Sequence, residues 1–184
     1  HKRAGGFLEE MAESGRSPEL SLFRLDGFLE ARGHYLEAGD LAEARRVTSR
    51  ISSYLDRRGH YSELIRLNRE ILDLKPDKDS MNWIAQAYAH QMDLENAAQW
   101  YKKALDMAPD AISYQGLGMI RLDQGEHDQA EESLEKALQM HLDQKDLRGE
   151  AAVLQALASI DVARKSSSAA KDKLERAARI LEDL

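Results

Sequence analysis

The chain repeats itself, and that narrows its folding options more than any other feature. Slid against itself by 33 residues, it aligns Leu64 with Ala97 and Ala130, Ile71 with Ala104 and Ala137, and Leu72 with Leu105 and Leu138. Upstream, Ile51, Ile84 and Leu117 coincide, followed by Ser52, Ala85 and Gly118; Gly59, Met92 and Gly125 coincide at the turn. A shift of 40 carries Leu117 to Leu157, Gly118 to Ala158, Ala130 to Ala170 and Ala137 to Ala177, with the extra residues in the polar stretch 141–150. A sequence of this kind is built from supersecondary pieces that cannot bury their apolar faces alone and do so only by stacking. Four units are expected, 45–77, 78–110, 111–150 and 151–184, preceded by N-terminal helices over 1–44 with a degenerate repeat, the whole forming one continuous solenoid.

Each unit reads as two amphipathic helices. Met81, Ile84, Ala85 and Tyr88 are spaced three and four apart, which places them on one helical face, and Ala97, Tyr101, Ala104 and Leu105 do the same on the next helix. Small residues recur at Ala85/Gly118/Ala158 and Ala97/Ala130/Ala170, each opposite a large one, as closely approaching helices require. Ala97→Leu is therefore expected to overpack a helix crossing. Pro76 and Pro109 close two units. Ser17 and Pro18 read as the cap and first turn of a helix, and Ser166–Ser168 as a turn and helix N-cap. The pattern predicts helices at 3–13, 18–38, 41–57, 61–74, 78–91, 94–107, 111–124, 127–142, 146–164 and 167–183, and no strands.

The large–small pairs on the first helix and the Ala-x3-aromatic spacing on the second resemble the tetratricopeptide repeat family. Residues 78–110 carry the fullest set (Ile84-Ala85, Tyr88, Ala97, Tyr101, Ala104-Leu105, Pro109), and 111–150 keep Leu117-Gly118, Gly125, Ala130 and Ala137-Leu138 but put Arg121 where an aromatic is usual. In 45–77, Leu64 replaces the small Ala, and 151–184 depart furthest, with Lys165 and Ser167 in the turn. The resemblance implies an all-α fold, a right-handed α-α superhelix of about ten antiparallel helices. It also implies a non-catalytic scaffold that binds a peptide or partner segment in a concave groove.

Composition agrees. The 184 residues hold 26 Lys+Arg against 33 Asp+Glu, a net charge of -7 that argues against bulk nucleic-acid binding. With no cysteine there is no thiolate chemistry, disulfide or thiolate metal site. No apolar run is long enough to span a membrane. A cytoplasmic location is expected, and the opening at His1 favours an excised fragment of something longer. The six histidines include no helical i, i+4 pair, so no metal site and no cofactor are expected. No convergent catalytic set is visible, so the chain does not read as an enzyme.

The groove residues follow from the first helices, at positions that miss the core stripe. They are Arg46, Ser49, Arg50, Ser53 and Arg57; then Asn82, Trp83, Gln86 and His90; then Gln115, Met119 and Leu122; and last Gln155 and Ser159. Amides match a peptide backbone, guanidiniums fork onto carboxylates, and Trp and Met supply apolar contact. Residues 41–72 carry seven Arg against four acids, whereas 93–184 carry 12 basic residues against 18 acids. The expected partner is thus a protein or peptide, acidic where it meets the Arg-rich end, and Arg50→Glu is expected to weaken it while leaving stability nearly unchanged. Adaptors of this family that hold a C-terminal carboxylate place Lys and Asn where Ser49 and Ser53 stand, which argues against that subclass. Two other readings are compatible with the sequence: a sensor or regulatory region of a larger bacterial signalling protein of the STAND NTPase type, and a self-assembling module. The latter would associate through the C-terminal helix, whose stripe of Leu174, Ala177, Ala178 and Leu181 is expected to stand bare.

Overall fold

The computed structural model describes residues 1–6, 9 and 21–184. Residues 2–6 and 9 are helical, and nine bounded helices follow among the described residues: α1 (Ser21–Glu37), α2 (Leu41–Arg58), α3 (Tyr61–Leu74), α4 (Lys78–His90), α5 (Leu94–Met107), α6 (Ala111–Asp123), α7 (His127–Gln144), α8 (Leu147–Ala163) and α9 (Ser167–Glu182). No strand occurs among the described residues. From α2 onward the bounds agree with the sequence expectation to within two residues. The expected cap at Ser17 and Pro18 lies outside the described residues.

Two kinds of turn join the helices, and each has a local cause. Inside the repeats the chain reverses through one left-handed residue. Gly39, Gly59 and Gly125 take it with φ of 70°, 73° and 76°, and Met92 and Lys165 take it with φ of 61°. The left-handed residue lets the amides just past the helix return to its last carbonyls, as His60 does to Leu55 and Asp93 to Tyr88. Glycine does this without Cβ strain; Met92 does not, and its side chain is left 75% exposed. Between repeats, α3 and α5 end on Lys75 and Ala108, both extended, because each precedes a proline whose ring disfavours helical geometry. The third repeat lacks that proline. Its α7 runs on to Gln144 and ends on Lys145 in the left-handed conformation, which absorbs the extra residues.

Aspartates start several helices. Asp40, Asp93 and Asp146 accept from the amide three residues on, and Asp110 accepts from Ile112 and Ser113. Ser166, read as a cap from its sequence, occupies the N-cap position of α9 but makes no side-chain capping bond.

The chain divides into two compact units, His1–Ala87 and Tyr88–Leu184. In the first, Ala31, Tyr35, Ala44, Val47, Ile51, Leu55, Leu64, Leu67 and Ile71 form one buried cluster from α1, α2 and α3. Leu64, which departs from the small-residue rule, is fully buried. A polar network crosses the same three helices: buried Arg32 on α1 donates to Thr48 Oγ1 (2.8 Å) and the Leu67 carbonyl (3.1 Å) and pairs with Glu70 (2.9 Å). Asn68 donates to Ser52 Oγ at 2.7 Å and to the Leu64 carbonyl at 2.9 Å. A buried guanidinium needs this full set of partners to offset its desolvation.

In the second unit, Ala130, Leu134, Ala137, Val153, Leu157 and Ile160 form a core between α7 and α8. Two glycines of α6 set close approaches. A Cβ on Gly116 would lie 2.2 Å from Tyr101 Cζ, and one on Gly118 would lie 2.6 Å from Leu134 Cγ. Tyr101 is a core residue, 5% exposed, as its position predicted; Tyr88 is half-buried.

Candidate partner-binding faces

In the first unit the candidate residues lie on α2 and α4. Arg46 and Arg50 are one helical turn apart and both reach Glu9 of the N-terminal helical stretch. Arg46 donates to both Glu9 carboxylate oxygens at 2.6 Å, and Arg50 Nη1 to Oε1 at 3.0 Å. The Tyr35 hydroxyl donates to Oε2 at 3.4 Å. The carboxylate is buried while the two guanidiniums remain 41% and 46% exposed. The Arg46 hydrogen bonds hold the Glu9 carboxyl below its ordinary value of 4.5, against the opposing effect of burial. Arg46 also pairs with Glu43 at 2.7 Å.

Neighbouring arginines have acidic partners too. Arg45 lies 3.5 Å from Asp77, and Arg66 is clasped by Glu63 and Glu70. The local excess of positive charge along 41–72 is therefore offset by Glu9 and Asp77, which lie outside that window. Sequence reasoning missed Glu9; an acid on an N-terminal helix was the available signal, but nothing along the chain marks which cation it meets.

Trp83 of α4 is half-buried, with Nε1 donating to Ser49 Oγ at 3.2 Å. Gln86 donates to Asp56 Oδ2 at 3.2 Å. These bonds tie α4 to α2 along the row of Arg46, Arg50 and Arg57. Asn82 departs from expectation: it is 4% exposed, turned into the protein and not outward. Ile84 and Ala85 of the predicted stripe are fully buried, and Ser80, Asn82 and Ala87 are buried beside them, so α4 is covered over a wider face than the stripe alone. Beside this row, Leu25, Phe28, Ile51 and Tyr54 with Arg50 and Arg57 line a cleft of about 360 Å³.

In the second unit His90, Met119 and Gln155 are exposed, Met119 by 42%. Gln115 is half-buried, its Oε1 3.1 Å from Nε2 of His141, a 3% exposed imidazole at the end of α7. Asp146 Oδ2 stands 2.9 Å from His141 Nδ1, an ion-pair distance without good hydrogen-bond alignment. His141 thus links α6 to the cap of α8, and Gly149 lies against it. On α9, Leu174, Ala178 and Leu181 are exposed as expected, but Ala177 is 1% exposed and packs inward.

One cluster has metal-ligand chemistry. His1 Nδ1 lies 3.2 Å from His34 Nδ1 and 2.8 Å from Glu37 Oε2 on the surface of the first unit. Among the described residues no helix is long and apolar enough to cross a membrane.

Helix pairs reversed through left-handed turns, with extended pre-proline turns at two of the junctions, define an α-helical repeat protein. The chain belongs to the tetratricopeptide repeat family: the family profile matches residues 79–140 and 109–183, and such arrays serve as protein-interaction modules. Solved structures share the fold. MamA is 17% identical, with 89% of this chain and 92% of that one covered at a TM-score of 0.65. MamA residues 41-end from Desulfovibrio magneticus RS-1 are 15% identical, with 86% and 96% covered at 0.59. BtubC (BKLC) from P. vanneervenii is 16% identical, with 98% and 88% covered at 0.64. No curated protein matches the sequence.

Proposed function

We propose that the chain is a non-catalytic scaffold that holds a peptide segment of a partner protein against the first helices of its repeats, α2 and α4 in the first unit. The observation that carries this reading is the row on α2 and α4. Arg46, Arg50, Trp83 and Gln86 are held in place by Glu9, Ser49 and Asp56 and remain only partly buried. Positioned cations, an indole and an amide supply the charge, apolar area and backbone hydrogen bonding that a peptide site needs. Proteins of this family are typically interaction modules, and this chain's arginines, amides and indole fit that work.

The test is capture of partners from lysate by the immobilised chain, compared with Trp83→Ala/Gln86→Ala and with Met119→Glu. A partner identified by mass spectrometry and lost in either variant, with helical content retained, supports the groove. Equal capture by all three proteins moves binding to another face. A second reading, self-association through α9, is favoured by Leu174, Leu181 and Leu184, which are 46%, 48% and 56% exposed. Sedimentation showing a monomer at every concentration would remove it.

A further inference from the structure

The Glu9 carboxylate is held as a bound anion would be held. Both its oxygens are engaged by the Arg46 fork at 2.6 Å, Arg50 adds a third donor at 3.0 Å and Tyr35 a fourth at 3.4 Å. This seat shares Arg50 with the 360 Å³ cleft, whose floor is Leu25, Phe28, Ile51 and Tyr54 and whose rim adds Arg57. Arg46, Arg50, Tyr54 and Arg57 follow one another along α2 at about one turn, or ~5–6 Å, each. A carboxylate seat and an apolar cleft are therefore juxtaposed on one helix and joined by one guanidinium.

We propose that this pair of features docks an acidic, amphipathic segment of a partner, and that Glu9 occupies the carboxylate position until the partner displaces it. The proposal rests on the scaffold reading above and specifies the partner's chemistry: an Asp or Glu about one helical turn from a large apolar side chain. Charge complementarity selects that occupant, because Arg50 and Arg57 flank the cleft and a basic segment would meet them as like charges. Exchange of one carboxylate for another on the same guanidiniums is close to balanced. The apolar side chain entering the cleft, which Glu9 lacks, supplies the preference for the partner. An acidic segment without the apolar residue competes poorly with Glu9, whose tether gives it a high effective concentration. Glu9 thereby acts as a selectivity gate.

The experiment uses the full chain and fluorescein-labelled peptides with the core Glu-Glu-Ala-Leu-Phe-Glu, read by fluorescence anisotropy. Two control peptides replace the Glu residues by Gln, or Leu-Phe by Ser-Ser. Glu9→Gln, which keeps the side chain's size and removes its charge, is expected to tighten the acidic apolar peptide about tenfold or more, since affinity is reduced by the fraction of seats available. Both control peptides are expected to bind at least about tenfold more weakly than the parent peptide to that variant. Glu9→Asp shortens only the resident side chain, leaves every donor of the seat in place and is expected to tighten the peptide about threefold, and it decides the matter if Glu9→Gln lowers helical content.

Equal affinity of the wild-type chain and the Glu9→Gln chain for the peptide overturns the gate. Equal affinity for the peptide and its Gln control, or no binding to either protein, overturns the site. A natural partner lost on Trp83→Ala/Gln86→Ala but indifferent to Glu9→Gln leaves the scaffold reading standing and refutes this inference alone.

Discussion

Gly118→Ala should destabilise the second unit, although alanine is the residue at two of the three equivalent positions, Ala85 and Ala158, with Ser52 at the third. On an isolated helix the change would gain about 1 kcal/mol, because alanine loses less backbone freedom than glycine. In this protein the new Cβ would sit 2.6 Å from Leu134 Cγ, 2.8 Å from Leu134 Cδ2 and 3.3 Å from the Ala130 carbonyl oxygen. Ordinary carbon–carbon contact is about 3.5–4.0 Å. The Leu134 branch point must move by about 1 Å in a core where it is fully buried, and the α7 backbone blocks retreat toward Ala130. Overpacking of this kind costs about 1–3 kcal/mol, so the net loss is about 1 kcal/mol, or roughly 4–8 °C in the melting midpoint of a unit this size.

The two tryptophans fall one in each unit, so urea unfolding of a Trp83→Phe background followed by Trp100 fluorescence reports on the second unit. The midpoint should fall with unchanged slope. The decisive comparison adds Leu134→Ala, which alone should cost about 2–5 kcal/mol. Once the leucine is gone, Gly118→Ala should change sign and stabilise by about 1 kcal/mol. Stabilisation in the presence of Leu134, or the same effect in both backgrounds, would refute the close α6–α7 approach.

Arg50→Glu, expected from sequence to be nearly neutral for stability, should instead destabilise the first unit, and Arg46→Glu should do so by about 2 kcal/mol in thermal melts, because buried Glu9 would face a like charge. Glu9 itself gives a pH signature. Its folded pKa lies below 4.5, so its contribution is full above that value and is lost as the pH falls through it toward the folded value; Glu9→Gln should flatten that limb of a stability–pH curve. Met92→Gly should stabilise by about 0.5–1 kcal/mol and raise the thermal midpoint, since the left-handed turn suits glycine and the exposed Met side chain contributes little packing. Gly149→Ala should place a Cβ 2.1 Å from His141 Nδ1; calorimetry should show a loss of about 1–3 kcal/mol as the link to Gln115 and Asp146 opens.

The sequence alone settled what depends on local geometry. Helix bounds follow from the three-and-four spacing of apolar residues. The extended breaks at Lys75 and Ala108 follow from the prolines after them, and the reversals at Gly59 and Gly125 from glycine's tolerance of positive φ. The repeat also predicted that Met92 would share that reversal, and it does so without being glycine. Burial of Tyr101 and the small residues at helix crossings were legible because repeating units share one packing geometry.

Tertiary structure decided what depends on long-range pairing. Arg46 and Arg50 read as open cations because a charge tally along the chain cannot see Glu9, 37 and 41 residues away. Arg32 carries no sequence mark of burial, yet α2 and α3 surround it with a hydroxyl, a carbonyl and a carboxylate. Asn82 is buried, and Ala177 left the exposed stripe, because how much of a helix's circumference is covered is set by the neighbours it packs against. Periodicity fixes which residues share a face; only the assembled neighbours fix which way that face points and which charges it meets.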